Sequence, residues 1–239
     1  MALGAGKVIS GAGNVIWMVL AAAALAGCGG GGTPTAQSSP ATYYDSFLQP
    51  GYEAQRVFLD GDSATGQAAL PNTAYKRMPT SGHATYKGYA LLYANQTGAV
   101  GAAPRISLIG ETTLTADFAN ARMTGEAKNF VGGEITDNAT NSSYVFTRPP
   151  VYYDGKLTMS DGCIGTSGGC ADVTRPNQFA GTMKGKLTGT DGNTVVTTAR
   201  VQGDFRGTPI KGVFGQAING PITVNGTPVS GALTITGKP

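Results

Sequence analysis

Residues 179–189 read Phe179-Ala-Gly-Thr-Met-Lys-Gly-Lys-Leu-Thr-Gly189, and residues 195–206 read Val195-Val-Thr-Thr-Ala-Arg-Val-Gln-Gly-Asp-Phe-Arg206. In the first stretch Phe179, Gly181, Met183, Gly185, Leu187 and Gly189 share one face, and Thr182, Lys184, Lys186 and Thr188 share the other. In the second, Val195, Ala199, Val201, Gly203 and Phe205 oppose Thr198, Arg200, Gln202, Asp204 and Arg206. Strict alternation of this kind marks a strand with one buried face. The buried face itself alternates bulk with glycine. That lets side chains from opposite walls interdigitate in a narrow barrel, and glycine eases the bending that closure requires.

The same pattern extends in both directions. Ala84, Tyr86, Gly88, Ala90 and Leu92 line one face of 83–93, and Ile106, Leu108, Gly110, Leu114, Ala116 and Phe118 line one face of 105–118. Met123, Gly125 and Ala127 follow, then Val151, Tyr153, Gly155, Leu157 and Met159, then Ile210, Gly212 and Phe214, and finally Gly231, Leu233, Ile235 and Gly237. Asp191-Gly192 and Asn225-Gly226 are pairs that suit type I′ hairpin turns, which need positive φ at both central residues. No amphipathic helix is read after residue 80. The chain is therefore expected to be all-β, a roughly eight-stranded antiparallel β-barrel whose closure removes unpaired edges and whose interior is filled. The barrel is assigned to 79–239, and 43–78, where Pro and Gly break any period, to an irregular segment packing on it.

The amino terminus has a different character. Residues 1–27 hold one ionisable side chain, Lys7, and an apolar run from Val15 to Ala26, too short to span a bilayer, which takes about 20 residues. The run ends in Leu25-Ala26-Gly27-Cys28, which resembles the lipobox of bacterial lipoproteins. That resemblance makes 1–27 a signal peptide and Cys28 the site of lipid attachment, palmitate among the acyl chains. Four glycines and a Thr/Pro/Ser/Gln stretch follow, so 28–42 reads as the lipidated cysteine and a flexible tether. Gly29 in place of Asp after the cysteine points to the outer membrane.

Removing 1–27 leaves 16 basic side chains (17 less Lys7) against 14 acidic ones. Such a balance lacks the basic stripe of a nucleic-acid-binding protein. Cys163 and Cys170 bracket Cys-Ile-Gly-Thr-Ser-Gly-Gly-Cys, and an even remainder in an exported domain reads as a disulfide. Closing so short a loop contributes about 2.5 kcal/mol on a chain-entropy basis. A metal site needs more ligands than two thiols, and the only histidine is His83, so no metal is expected.

Chemistry is sparse. Gly165-Thr-Ser167-Gly-Gly169 matches a nucleophile-elbow string but lacks the strand-to-helix context and a histidine base, so a loop tip is the reading. Asp60-Gly-Asp62-Ser-Ala-Thr-Gly66 fails as a calcium loop, because Ala64 and Pro71 stand where ligands belong. No cofactor is expected. Haem is the one considered, and His83 would then need a tyrosine or methionine as second ligand. No catalytic set can be assembled, so no enzyme is expected. Tyr152 and Tyr153, with His83, are the candidate partner-binding residues, since tyrosine favours interfaces.

Several motifs occur in order: Pro79-Thr-Ser-Gly-His-Ala-Thr-Tyr-Lys-Gly88, Leu114-Thr-Ala-Asp-Phe118, Met123-Thr-Gly125, Lys186-Leu-Thr-Gly189, Val201-Gln-Gly-Asp-Phe205 and Gly212-Val-Phe-Gly215. They resemble the barrel of transferrin-binding-protein-like surface lipoproteins, of the transferrin-binding protein B and factor H-binding protein type, with one barrel in place of two lobes. The resemblance implies a monomer held at the cell surface by its lipid anchor. Its loops would bind a host or environmental protein, one carrying iron or haem included. The alternative is a structural or assembly lipoprotein of the outer membrane with no soluble ligand.

Overall fold

The computed structural model of the chain describes residues 39–46, 69–95, 101, 103–138, 143–165, 172–218 and 220–239. A short helix, α1, covers 40–46. Eleven strands follow: β1 (His83–Ala94), β2 (Ile106–Asp117), β3 (Arg122–Asn138), β4 (Ser143–Phe146), β5 (Val151–Ile164), β6 (Gln178–Gly189), β7 (Thr194–Arg206), β8 (Gly212–Ile218), β9 (Ile222–Val224), β10 (Thr227–Val229) and β11 (Gly231–Gly237).

Strand pairing closes a ring. β1 pairs with β2, β2 with β3, β3 with β5, and β5 with β6. β6 then pairs with β7, β7 with β8, β8 with β11, and β11 returns to β1. Every pair is antiparallel, so this is the closed eight-stranded antiparallel barrel expected from the alternation. The extra strands are continuations or additions. Gln216 faces Gln202 and Ile222 faces Thr197, so five residues along β7 meet six on its partner: β9 continues β8 past a one-residue bulge. β10 likewise runs on into β11, and β4 folds back on the end of β3.

The inward faces are those the sequence marks except on β8, where Val213 and Ala217 join the interior and Phe214, paired with Asp204 and Thr236, lies on the other face, so the expected Gly212–Phe214 phase is corrected by one residue. Leu114, Leu187 and Phe205 are fully buried and Phe118 is buried, within one cluster that fills the barrel. The Phe205 ring lies against three others, with centroids 6.0 Å from Tyr86, 5.6 Å from Phe118 and 5.7 Å from Phe179. Glycine makes room for them. A Cβ at Gly203 would stand 2.5 Å from Cζ of Phe179, and one at Gly181 2.5 Å from Sδ of Met159. Burial drives the Tyr86 phenol up to about 12.

One turn differs from expectation. Asn225 and Gly226 have φ of 52° and 80° and join directly opposed residues, a type I′ turn. At Asp191-Gly192 only the glycine has positive φ, 86°, and Gly192 N–H donates to Gly189 O. This is a three-residue loop closed by a left-handed glycine. Asp191 stays out of the left-handed region because its carboxylate accepts Asn193 N–H at 3.0 Å and the Tyr153 hydroxyl at 3.1 Å.

Strands begin and end at two mouths. At the mouth where β1 starts, residues 71–74 cross the end of β7. Thr73, fully buried, donates its amide to Phe205 O and its hydroxyl to Gly207 O, and Asn177 Nδ2 donates to Thr73 O. A 3-10 turn, Tyr75–Arg77, continues this strap. Residues 38–239 make one compact unit.

Candidate functional site

The outer face of the β1–β2–β3–β5 wall carries a second apolar cluster. Leu91, Ile109 and Val131 lie at one level on adjacent strands, with Tyr152 beside Val131, and all point away from the interior. A bulge at Asn129, φ 54°, lets β3 shift its phase, so that Phe130 faces inward and Val131 outward. Helix α1 covers this patch. Ser39 caps it, its Oγ accepting Thr42 N–H at 3.2 Å, and Pro40 occupies the first helical position.

Tyrosines join the helix to the wall. Tyr44 is buried, its ring edge-on to Phe146 at 4.7 Å and its hydroxyl 3.3 Å from Ser107 Oγ. Tyr43 sits 5.8 Å from Tyr152 and donates its hydroxyl to Glu111 Oε1 at 3.0 Å. Asn129 Nδ2 donates to the other Glu111 oxygen at 2.8 Å, so this carboxylate is gripped from two sides. Burial and the Glu111 carboxylate both push the Tyr43 phenol well above its ordinary value, and they raise Tyr89 in the same way.

The candidate partner-binding residues separate. Tyr152 belongs to this outer platform. Tyr153, its neighbour in β5, turns inward, is buried, and donates to Asp191; burial first and then that carboxylate raise its phenol. Adjacent strand residues point to opposite faces, so the pair cannot share a surface, and Tyr153 is corrected from partner-binding to interior. His83 opens β1 with its side chain 67% exposed and Nδ1 3.9 Å from Asp117 Oδ1. Eight residues along β1 separate it from Leu91, which is level with Tyr152, about 26 Å away at ordinary strand rise. His83 and Tyr152 therefore do not form one site. Among the described residues no three metal-ligating side chains converge.

Two other features mark the exterior. Below the tyrosine platform, Lys128, Lys156 and Lys186 stand opposite one another on β3, β5 and β6. Glu126 accepts Lys128 Nζ at 2.6 Å and Lys156 Nζ at 3.3 Å, and these bonds hold its carboxyl below the usual range. At the mouth where β1 starts, an open cleft of about 450 Å³ is lined by Tyr75, Met78, Phe118, Asn120, Ile164 and Pro176. Asn120 is already held there by Asp117, and these hydrogen bonds keep the Asp117 carboxyl low.

Other sequence readings fall beyond the described residues. Residues 1–38 and 47–68, with Cys28 and the Asp60–Gly66 loop, lie outside them, as do Ser167 and Cys170. Cys163 is buried at the end of β5, beside Val173 and Ala180. Sequence reasoning passed over Leu91, Ile109 and Val131. Apolar residues out of phase on three strands, each at the outward position, were the available signal.

No protein-family model and no curated protein matches the sequence. Among solved structures the chain is similar to transferrin-binding protein B of Haemophilus parasuis Hp5, a vaccine antigen crystallised as a double mutant. Identity is 15% and the TM-score 0.37, over 70% of this chain and 27% of that one. The chain thus spans 27% of that protein's length, and its own strand pairing is what makes it an all-β barrel.

Proposed function

We propose that this chain is an outer-membrane lipoprotein, anchored through acylated Cys28, that holds a β-barrel at the cell surface and binds a macromolecule through its exterior. It catalyses nothing and carries no resident cofactor or metal in this reading; the partner is a protein, one bearing iron or haem included. The carrying observation is the filled interior: a closed barrel packed with Phe179, Phe205, Leu187 and their neighbours offers recognition only on its outside and at its mouths. Rigid scaffolds of this kind collect binding residues on loops.

Geometry distributes those loops. β1 ends and β2 begins at the mouth where β4 folds back on β3, and β5 ends at the other. Ile135–Asn138 and Ser143–Phe146 pair in this hairpin, on which Val145 is 51% exposed. A Cys163–Cys170 disulfide would pin the second group; non-reducing mass analysis should find both thiols absent, and two free thiols would remove it.

Two experiments test the whole. Cys28→Ala should release the protein from salt-washed membranes and block acylation; continued sedimentation rejects the anchor. A pull-down with residues 38–239 from the fluid around the cells, read by mass spectrometry and absorbance near the haem band, should recover one partner. Replacing the β3–β4 hairpin tip should abolish that capture with folding stability changed by no more than about 0.5 kcal/mol. Capture that survives replacement of both loop groups overturns exterior recognition through loops.

A further inference from the structure

The wall of β3, β5 and β6 carries a basic row that neither the barrel core nor the tyrosine platform uses. Lys128, Lys156 and Lys186 are in register on three adjacent strands, about 4.8 Å apart strand to strand, and Lys184 lies two residues along β6 opposite Thr158. All four are exposed. Like charges placed directly opposite destabilise a sheet, so the arrangement is not one that folding favours. Three carboxylates share the wall: Glu126, which Lys128 and Lys156 divide between them, exposed Asp154, and Asp161, which Thr182 and Arg200 engage. Glu111, opposite Lys128 on β2, is taken by Tyr43 and Asn129. Lys184 and Lys186 have no ion pair with any described residue. The row ends at Val196, opposite Lys186 and 38% exposed.

The approach of the chain gives this wall a direction. Ser39 starts α1 one helical turn before Tyr43, whose hydroxyl rests on Glu111 beside Lys128. Eleven residues (39 − 28) separate Ser39 from Cys28 and reach at most about 40 Å. An acyl anchor on Cys28 therefore lies within about 40 Å of Ser39, a span that leaves the lysines within reach of its bilayer.

We propose that the Lys128–Lys156–Lys186 row, with Lys184, rests on phosphate-bearing anionic lipid headgroups of the membrane that holds the anchor. The proposal rests on the lipoprotein reading above. Ammonium groups meet the phosphates, and Val196 sits at the boundary of the apolar region. A basic surface adds a second membrane signal to an acyl chain, and each lysine near an anionic surface strengthens binding about fivefold.

The test uses residues 38–239, which carry no anchor, with vesicles of phosphatidylcholine alone or mixed with phosphatidylglycerol. The unit should sediment with the mixed vesicles only and be released by salt. K156Q/K184Q/K186Q should weaken this about a hundredfold, to background, with its melting temperature maintained. The same charge removed as K76Q/K211Q/K238Q, at the mouth where β1 starts, should leave binding within about fivefold of the parent. Equal loss from both triples, or no preference for phosphatidylglycerol, overturns the proposal. So does retention on a polyanionic polysaccharide through the row lysines without vesicle binding, which would make a sugar polymer the partner. Failure here leaves the Cys28→Ala fractionation result standing, and the reverse, because no acyl chain is present in the vesicle experiment.

Discussion

The two faces of the β1–β2–β3–β5 wall are built from the same strands and obey different rules. Inward, Leu92, Leu108, Phe130 and Tyr153 join a cluster sealed by eight strands. Outward, Leu91, Ile109, Val131 and Tyr152 are covered, among the described residues, by one short helix and its tyrosines. The inner cluster can open only if the barrel opens. Among the described residues, the outer one is reached by release of α1. Regions with few covering contacts sit at the low end of the local-stability range.

The comparison is most exposed at Phe205. Truncation to alanine removes the ring that three aromatics share, and denaturant melts should show a loss of about 3–5 kcal/mol. A loss below about 1 kcal/mol would mean that the inner face is not the closed core described.

Overpacking probes the same face from the other side. Gly203→Val forces the Phe179 ring and the Phe214 carbonyl to move, and should destabilise by about 2 kcal/mol. A neutral result would show that the interior yields where glycine now makes room.

On the outer face, Tyr44→Ala should free α1 with a local loss of about 1.5 kcal/mol while the barrel melts nearly as before. Limited proteolysis should cut within 40–46 in the variant and spare the parent. Should the whole barrel lose stability with Tyr44, the two clusters are one cooperative unit and the distinction falls.

Alkaline titration separates the faces most finely. The Tyr43, Tyr86, Tyr89 and Tyr153 phenols are all raised above the ordinary value of 10.0. An acid whose folded pKa lies above its unfolded value contributes stability that is complete below about pH 10 and declines as pH rises beyond it. Tyrosinate absorbance should therefore lag in the folded protein, and Tyr44→Ala should bring Tyr43 and Tyr89 back toward 10 while Tyr86 and Tyr153 still lag. Simultaneous titration of all four in the variant would tie the outer platform to the core.

The Asn225-Gly226 turn and the inward residues of the long strands, up to the bulge in β3, were legible from alternation. Four things were not. The β3 bulge resets the phase at Asn129, so Phe130 to Asn138 no longer fits a continued period. β9 and β10 are three residues each, too short to alternate visibly. Asp191 escapes its turn preference through contacts with Asn193 and Tyr153. Tyr152 and Tyr153 read as one aromatic pair until the strand's phase sends them to opposite sides.

The sequence by itself determined which side chains fill the barrel, because a period of two and a bulk–glycine rhythm are properties of neighbours along one strand. It also carries the lipobox reading of Cys28 and the motifs that resemble surface lipoproteins. Only the tertiary structure decided what the outside looks like. Whether Lys128, Lys156 and Lys186 form a row depends on register across three strands, and that register is set by bulges and by closure of the ring. Whether Tyr43 reaches Glu111 depends on where α1 lands, 68 residues away along the chain. Such contacts join positions that no local pattern relates, because their spacing in sequence is set by the loops between them and their spacing in space by the sheet.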